Sequence, residues 1–231
     1  MKTSAFHKNR EQPEPLLLNG DHLSVPEFEK RYEATIADVK AELIEGVVIM
    51  SPPISDRHGM ANSLLDRLLG HYAASTPGLA VRVNTSIRLD EKNEYQPDVI
   101  LRIESGRMAR SKAGRAGMLE GRPELAAEIA LSAASYDLHE KKAVYERNEI
   151  PEYIVWEVVA SRIQWFALED GEYIRMKARA DGVAASRIFP GLWLDLPALL
   201  AGEAKKAFRV VERGLKSAEH KAFVKKMAAH S

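Results

Sequence analysis

The chain contains no cysteine in 231 residues. That excludes disulfides, thiolate nucleophiles and cysteine-ligated zinc. No apolar run reaches transmembrane length, and the polar N-terminus lacks the apolar core of a signal peptide. The sequence therefore points to a cytoplasmic protein without a membrane partner. A dominant charge is also missing: 33 Lys+Arg face 33 Asp+Glu. The molecule as a whole has no general attraction for polyanions, so any nucleic-acid surface must be local. No internal repeat or long low-complexity segment is present. What remains is ordinary apolar content and length enough for one domain with a substantial core.

Residues 1–22 are polar and without period, and read as a loose, disordered leader. A single domain is expected over 23–201. Ser24-Val25-Pro26-Glu27 reads as a capping box opening a helix to about Glu33. Ala41 to Met50 reads as a hairpin about Glu45-Gly46. After Ser51-Pro52-Pro53, Asp56 is expected to cap a helix over 57–74 whose core stripe begins at His58. Short strands are expected at 79–83, 86–89 and 96–102, then a loop over 104–122 rich in Gly, Ser and basic residues. Further strand-like runs cover 162–168 and 172–177, followed by a turn at 189–193 and a short helix at 197–201. From Glu203 a single amphipathic helix is expected, striped by Ala204, Phe208, Val211, Leu215, Ala218 and Ala222. That tail carries eight Lys/Arg and three Glu, a net of +5, which leaves −5 for the rest of a neutral chain.

The chemistry concentrates in Pro123 to Trp156. A short apolar strand, Leu125 to Leu131, holds one carboxylate, Glu128, among Ala, Ile and Leu. Burying a charged carboxylate without a partner is expensive, so Glu128 must face a cation, a donor or a cleft. A helix follows with Asp137, Lys141 and Tyr145 at steps of four, stacked on one face, and Tyr153 to Val159 returns as a strand. The whole reads as a β-α-β unit with a carboxylate at its mouth. Asp98, just after Pro97, lies in the strand expected over 96–102. Two carboxylates on adjacent strands suit Mg²⁺, a hard cation that takes oxygen ligands and keeps waters for its substrate. Blander readings stand beside these: Asp98 as a loop cap, Glu128 as an ion pair with Lys141, Asp137 as a helix cap, and Tyr145 and His58 as satisfied core residues. Lys142 should be exposed.

The string Gln96-Pro97-Asp98, the PELAAEIA segment around Glu128, SYDLHEKKAVY and EYIVW, with ELIEG before them and FPGLWLDL after, resembles the Uma-type family of restriction endonucleases in the PD-(D/E)XK nuclease superfamily. The blocks fall in family order over about 22–201. The resemblance implies an α/β restriction-endonuclease-like core, a central mixed sheet flanked by helices with metal-bearing carboxylates at one edge. It assigns Asp98 and Glu128 to the metal and adds Glu42 as an extra carboxylate. The superfamily's lysine, two residues after the Glu, falls here on Ala130; the family's displaced lysine maps to Lys141. His58 and Tyr145 become site neighbours. The implied activity is Mg²⁺-dependent hydrolysis of DNA, with Mn²⁺ able to substitute and RNA left open, and cutting both strands favours a homodimer. The rival is a catalytically silent nuclease-fold protein that binds nucleic acid or a partner chain. Arg107, Arg110, Lys112 and Arg115 are expected to bring phosphates to the site from a loop bordering it, with the basic tail farther away and packed on the body or on a second subunit.

Overall fold

A computed structural model describes residues 15–35, 39–104, 106–114, 117–131 and 139–229. The N-terminal part runs α1 (Val25–Ala34), β1 (Ala41–Ile44), β2 (Val47–Met50), α2 (Asp56–Ala74), β3 (Leu79–Val83), β4 (Ile87–Arg88), β5 (Glu94–Tyr95) and β6 (Val99–Ile103). It continues through β7 (Ser111–Ala113), β8 (Leu119–Gly121), β9 (Leu125–Ala130), α3 (Lys141–Arg147), β10 (Glu152–Glu157), β11 (Arg162–Glu169) and β12 (Glu172–Arg175). The C-terminal part holds β13 (Val183–Ala185), β14 (Trp193–Asp195), α4 (Leu196–Leu200), α5 (Ala204–Leu215) and α6 (Ala218–Ala228).

The expected β-α-β unit is the centre of the molecule. β9 and β10 pair in parallel and are buried at every position, which is why they read as nearly continuous apolar runs. Around them, among the described residues, a mixed sheet forms in the order β12-β11-β10-β9-β6-β3. One face of this sheet packs on α2, α4, α5 and α6 through Leu101, Ala127, Ile129, Trp156 and Trp165. The other face meets α3 and a second sheet, ordered β2-β1-β5-β4-β8-β7, through Ile100, Ala126, Ala130, Tyr153 and Val155. The β1–β2 hairpin turns at Glu45 (φ 51°) and Gly46 (φ 79°), a left-handed pair suited to a two-residue connection between twisted strands.

Several expectations shift. The end of the supposed leader is attached: Leu17 is buried, and Gly20 N–H donates to Val48 O at 2.8 Å. Ser24 stands at the N-cap of α1, but its side chain makes no cap hydrogen bond. Ser55, not Asp56, caps α2, its hydroxyl accepting from His58 N–H at 3.3 Å. Segment 104–122 is not simply a loop: it contributes β7 and β8 to the second sheet. Trp156 and Trp165 are core residues, while Trp193 is only half buried and donates to Glu219 at 3.0 Å. The tail is two helices. Ser217 accepts from His220 N–H and starts α6 anew, so the stripe is rephased: Phe223 and Met227 are buried and Ala218 and Ala222 exposed.

The tail docks through a close glycine contact. A Cβ added at Gly214 of α5 would lie 2.0 Å from the Gly191 carbonyl oxygen, and Gly191 itself has φ +86°. Gly214→Ala must push α5 off the 189–193 turn. A loss of about 2 kcal/mol is expected, the middle of the overpacking range. Scanning calorimetry should register it as a Tm roughly 4–8 °C lower. An unchanged Tm would mean that α5 is not held against that turn.

Candidate active site

Strand alternation sets the two carboxylates. Along β9, Leu125, Ala127 and Ile129 face the helical layer, which leaves Glu128 with Ala126 and Ala130 on the α3 side. β6 runs antiparallel to β9 and pairs Val99 with Ala127 and Ile100 with Ala126. Asp98 stands in a bend immediately before β6, and its carboxylate accepts from the N–H of Ile129, the residue after Glu128, at 2.8 Å, which brings the two acids together where β6 begins and β9 ends. Both side chains are buried, and both line one cleft of about 220 Å³ together with Lys40, Pro52, Ile54, His58 and Lys141.

Asp98 is held from three sides. Its Oδ2 accepts from Ile129 N–H at 2.8 Å and from His58 Nε2 at 3.2 Å, while Lys40 Nζ lies 3.4 Å from Oδ1. An ionised carboxylate only accepts, so His58 Nε2 carries a proton. His58 Nδ1 is buried with no hydrogen-bond partner among the described residues. Burial by itself would raise the Asp98 pKa, but the His58 hydrogen bond, the Lys40 charge and the Ile129 N–H together lower it to about 2. A carboxyl whose folded pKa lies below its ordinary 3.8 contributes stability above about pH 4 and loses it as pH falls towards 2. Between those limits wild type should lose roughly 2 kcal/mol more than Asp98→Asn in urea titrations. Parallel pH profiles would show that Asp98 is not held ionised.

Glu128 has its own holders. Its Oε1 accepts from Tyr145 OH at 2.8 Å and from Lys141 Nζ at 3.1 Å. Lys141 also lies 3.0 Å from Glu42 Oε2 and 3.2 Å from Glu42 Oε1, and Glu42 Oε1 accepts from Gln96 N–H at 2.8 Å. Lys141 thus reaches from α3 into the space between Glu128 and Glu42. Burial, and after it the charge of Glu128, pushes the Tyr145 hydroxyl well above its ordinary pKa, so the ring remains a hydrogen donor. Lys142 is half buried rather than exposed, its ammonium 4.8 Å above the Phe166 ring.

A family model, Uma2, described as "Putative restriction endonuclease", matches residues 25–197. The chain belongs to the Uma2 family. A crystal structure titled as "a putative nuclease belonging to DUF820", from Anabaena variabilis, is similar at a TM-score of 0.58 and 14% identity, covering 82% of this chain and 99% of that one. At that identity the likeness establishes a shared fold. No curated protein matched. Family and fold together give this Uma2 chain a nuclease-like character. Helices α5 and α6 lie beyond the matched residues, yet Ala207, Val211, Phe223 and Met227 complete the core on the helical face.

The described residues of the expected phosphate-binding loop do not line the cleft of this Uma2 chain. Segment 104–122 leaves β6 at its C-terminal end and enters β9 at its N-terminal end, whereas Asp98 and Glu128 mark the opposite ends of those strands. Arg110 pairs with Glu149 at 3.7 Å and Lys112 with Glu120 at 3.9 Å; Arg107 is exposed. None of the three lines the cleft. Arg115 and Asp137 lie outside the described residues. Lys40 is the site residue that sequence reasoning missed. It precedes β1 by one position, and Ser51 N–H still donates to its carbonyl at 2.9 Å, so the alternation of β1 sets Lys40 on the same face as Glu42. That period was the available signal. Among the described residues, no helix is long and apolar enough to cross a membrane. Among them, too, no three His, Cys, Asp or Glu side chains form a ready-made ligand cluster.

Proposed function

We propose that this chain is a Mg²⁺-dependent endonuclease that hydrolyses phosphodiester bonds of DNA. The observation that carries the reading is the pair Asp98 and Glu128, lining one cleft with Lys141 beside Glu128. The donor set fits a hard cation. Mg²⁺ is held in such sites by one or two carboxylates plus water and substrate phosphate, without a full protein cage. Two ammonium groups, Lys40 and Lys141, already lie on these carboxylates, which marks the cleft as built for positive charge. Asp98 and Glu128 would hold Mg²⁺, with Mn²⁺ able to substitute. Glu42, expected as a further ligand, has both oxygens on Lys141 and is assigned to holding that lysine.

Bound there, Mg²⁺ supplies Lewis-acid chemistry: it polarises a phosphoryl oxygen and makes an attacking water more acidic. The chain does the positioning. Ile129 N–H and His58 keep Asp98 ionised and aimed, and Tyr145 fixes the rotamer of Glu128. Lys141, pinned by Glu42, offers a fixed positive charge to the negative charge that develops on the phosphate during attack. Cutting both strands of a duplex calls for two such sites, which favours a two-fold dimer.

Incubation of the purified chain with supercoiled plasmid, with Mg²⁺, Mn²⁺ or a chelator, tests the reading. Nicking or linearisation with either metal and none with chelator is expected, and RNA in parallel decides between the two polymers. Nucleic-acid binding without cleavage in either metal would replace the enzyme by the silent binding module.

A further inference from the structure

Lys40 and Lys141 both set an ammonium against the carboxylates of the cleft, but they are held very differently. Lys141 is 7% exposed, sits 3.0 Å from Glu42 and 3.1 Å from Glu128, and lies 5.9 Å from the centre of the Tyr95 ring. The Lys40 side chain is 23% exposed, and its contacts to Asp98 Oδ1 (3.4 Å) and Asn84 Oδ1 (3.5 Å) stand at the outer limit of a hydrogen bond. Asp98 Oδ2 is already engaged by Ile129 N–H and His58, so Oδ1 is the oxygen left to meet a cation. It is the one that Lys40 touches. A dication and an ammonium cannot share one carboxylate oxygen without strong repulsion. The Lys40 carbonyl accepts from Ser51 N–H at 2.9 Å, which anchors its backbone beside β1 and leaves the long side chain as the part that can turn at the cleft.

Resting on the metal-site reading above, we infer that Lys40 has two working positions: on Asp98 Oδ1 before metal binds, and on the substrate phosphate once a divalent cation takes that oxygen. In the first position it balances the Asp98 charge and competes with metal. In the second it adds a positive charge to the phosphate beside the cut.

Mn²⁺ affinity, measured from the free-ion paramagnetic resonance signal, separates these roles from folding and from activity. Lys40→Gln should bind Mn²⁺ about tenfold more tightly, on the scale of an ammonium removed from roughly 4 Å in a watery cleft mouth. At saturating Mn²⁺ the same variant should cleave on the order of tenfold more slowly or worse. Lys40→Arg keeps the charge and should hold Mn²⁺ as wild type does. If wild type binds Mn²⁺ and Lys40→Gln binds it no more tightly, the inference about Lys40 is overturned while the metal site stands. Tighter binding with an undiminished saturated rate overturns the phosphate position. Absence of Mn²⁺ binding in wild type overturns the metal-site reading itself.

Discussion

Lys141→Met is expected to destabilise the protein by about 3–5 kcal/mol, the range for removing one member of a buried ion pair. The reason lies in what is left behind. Glu42 and Glu128 are each 3% exposed, and the Lys141 ammonium is the cation between them. Without it, two carboxylates share a low-dielectric pocket, and one of them must take up a proton or the pocket must open. The deficit against wild type should therefore shrink on acidification towards pH 5, where protonation becomes easy. Lys142→Ala is the control one position along the same helix. Lys142 loses its contacts over the Phe166 and Tyr173 rings, cation–π interactions of about 0.5–1 kcal/mol each at a partly exposed site. Urea denaturation of both variants across pH decides the matter. Equal losses would mean that Lys141 is not the cation holding the two carboxylates together.

That lysine was legible because the helical period is long enough to read. Steps of four put Lys141 and Tyr145 on one face of α3, and both meet Glu128 Oε1. The apolar run around Glu128 was legible for the same reason that it is buried: a parallel central strand has no solvent face. The second sheet was legible only in part: the β1–β2 hairpin and a strand about β4 are expected from the sequence, while β5, β7 and β8 are not. β5 is two residues long, and β7 and β8 three, too short for any alternation to rise above chance. The basic segment that holds β7 and β8 therefore reads from the sequence as one loop beside the site, although it joins the ends of β6 and β9 that lie away from Asp98 and Glu128. Lys40 gave no local signal, because a lysine at the end of a connection is normally solvated; only its period-two relation to Glu42 marks it. The break at Ser217 was masked by an amphipathic pattern that continues on both sides with a changed phase. Ser55 and Asp56 are both good caps, and the choice between them rests on a backbone angle, extended at Ser55, that composition does not encode.

Glu128→Gln is expected to reduce Mg²⁺-dependent cleavage on the order of 10²–10³-fold or more while leaving the protein folded. The amide keeps the shape of the side chain and an oxygen that can accept from Tyr145 and Lys141, so the hydrogen bonds at Oε1 have a successor. Lys141 retains Glu42 as its charged partner at 3.0 Å, so no cation is stranded. The stability change should stay within about 1–2 kcal/mol, the scale of weakening a hydrogen bond to a charged group. What the amide lacks is the negative charge that makes a carboxylate the stronger ligand for a hard cation. Mn²⁺ affinity should fall together with cleavage, and excess metal should restore only part of the rate. The comparison needs a thermal unfolding curve beside the plasmid assay, so that lost activity is not mistaken for lost fold. A folded Glu128→Gln that cuts as fast as wild type at the same Mg²⁺ would reduce Glu128 to a structural counter-ion for Lys141, and the nuclease centre would have to be sought elsewhere in the chain.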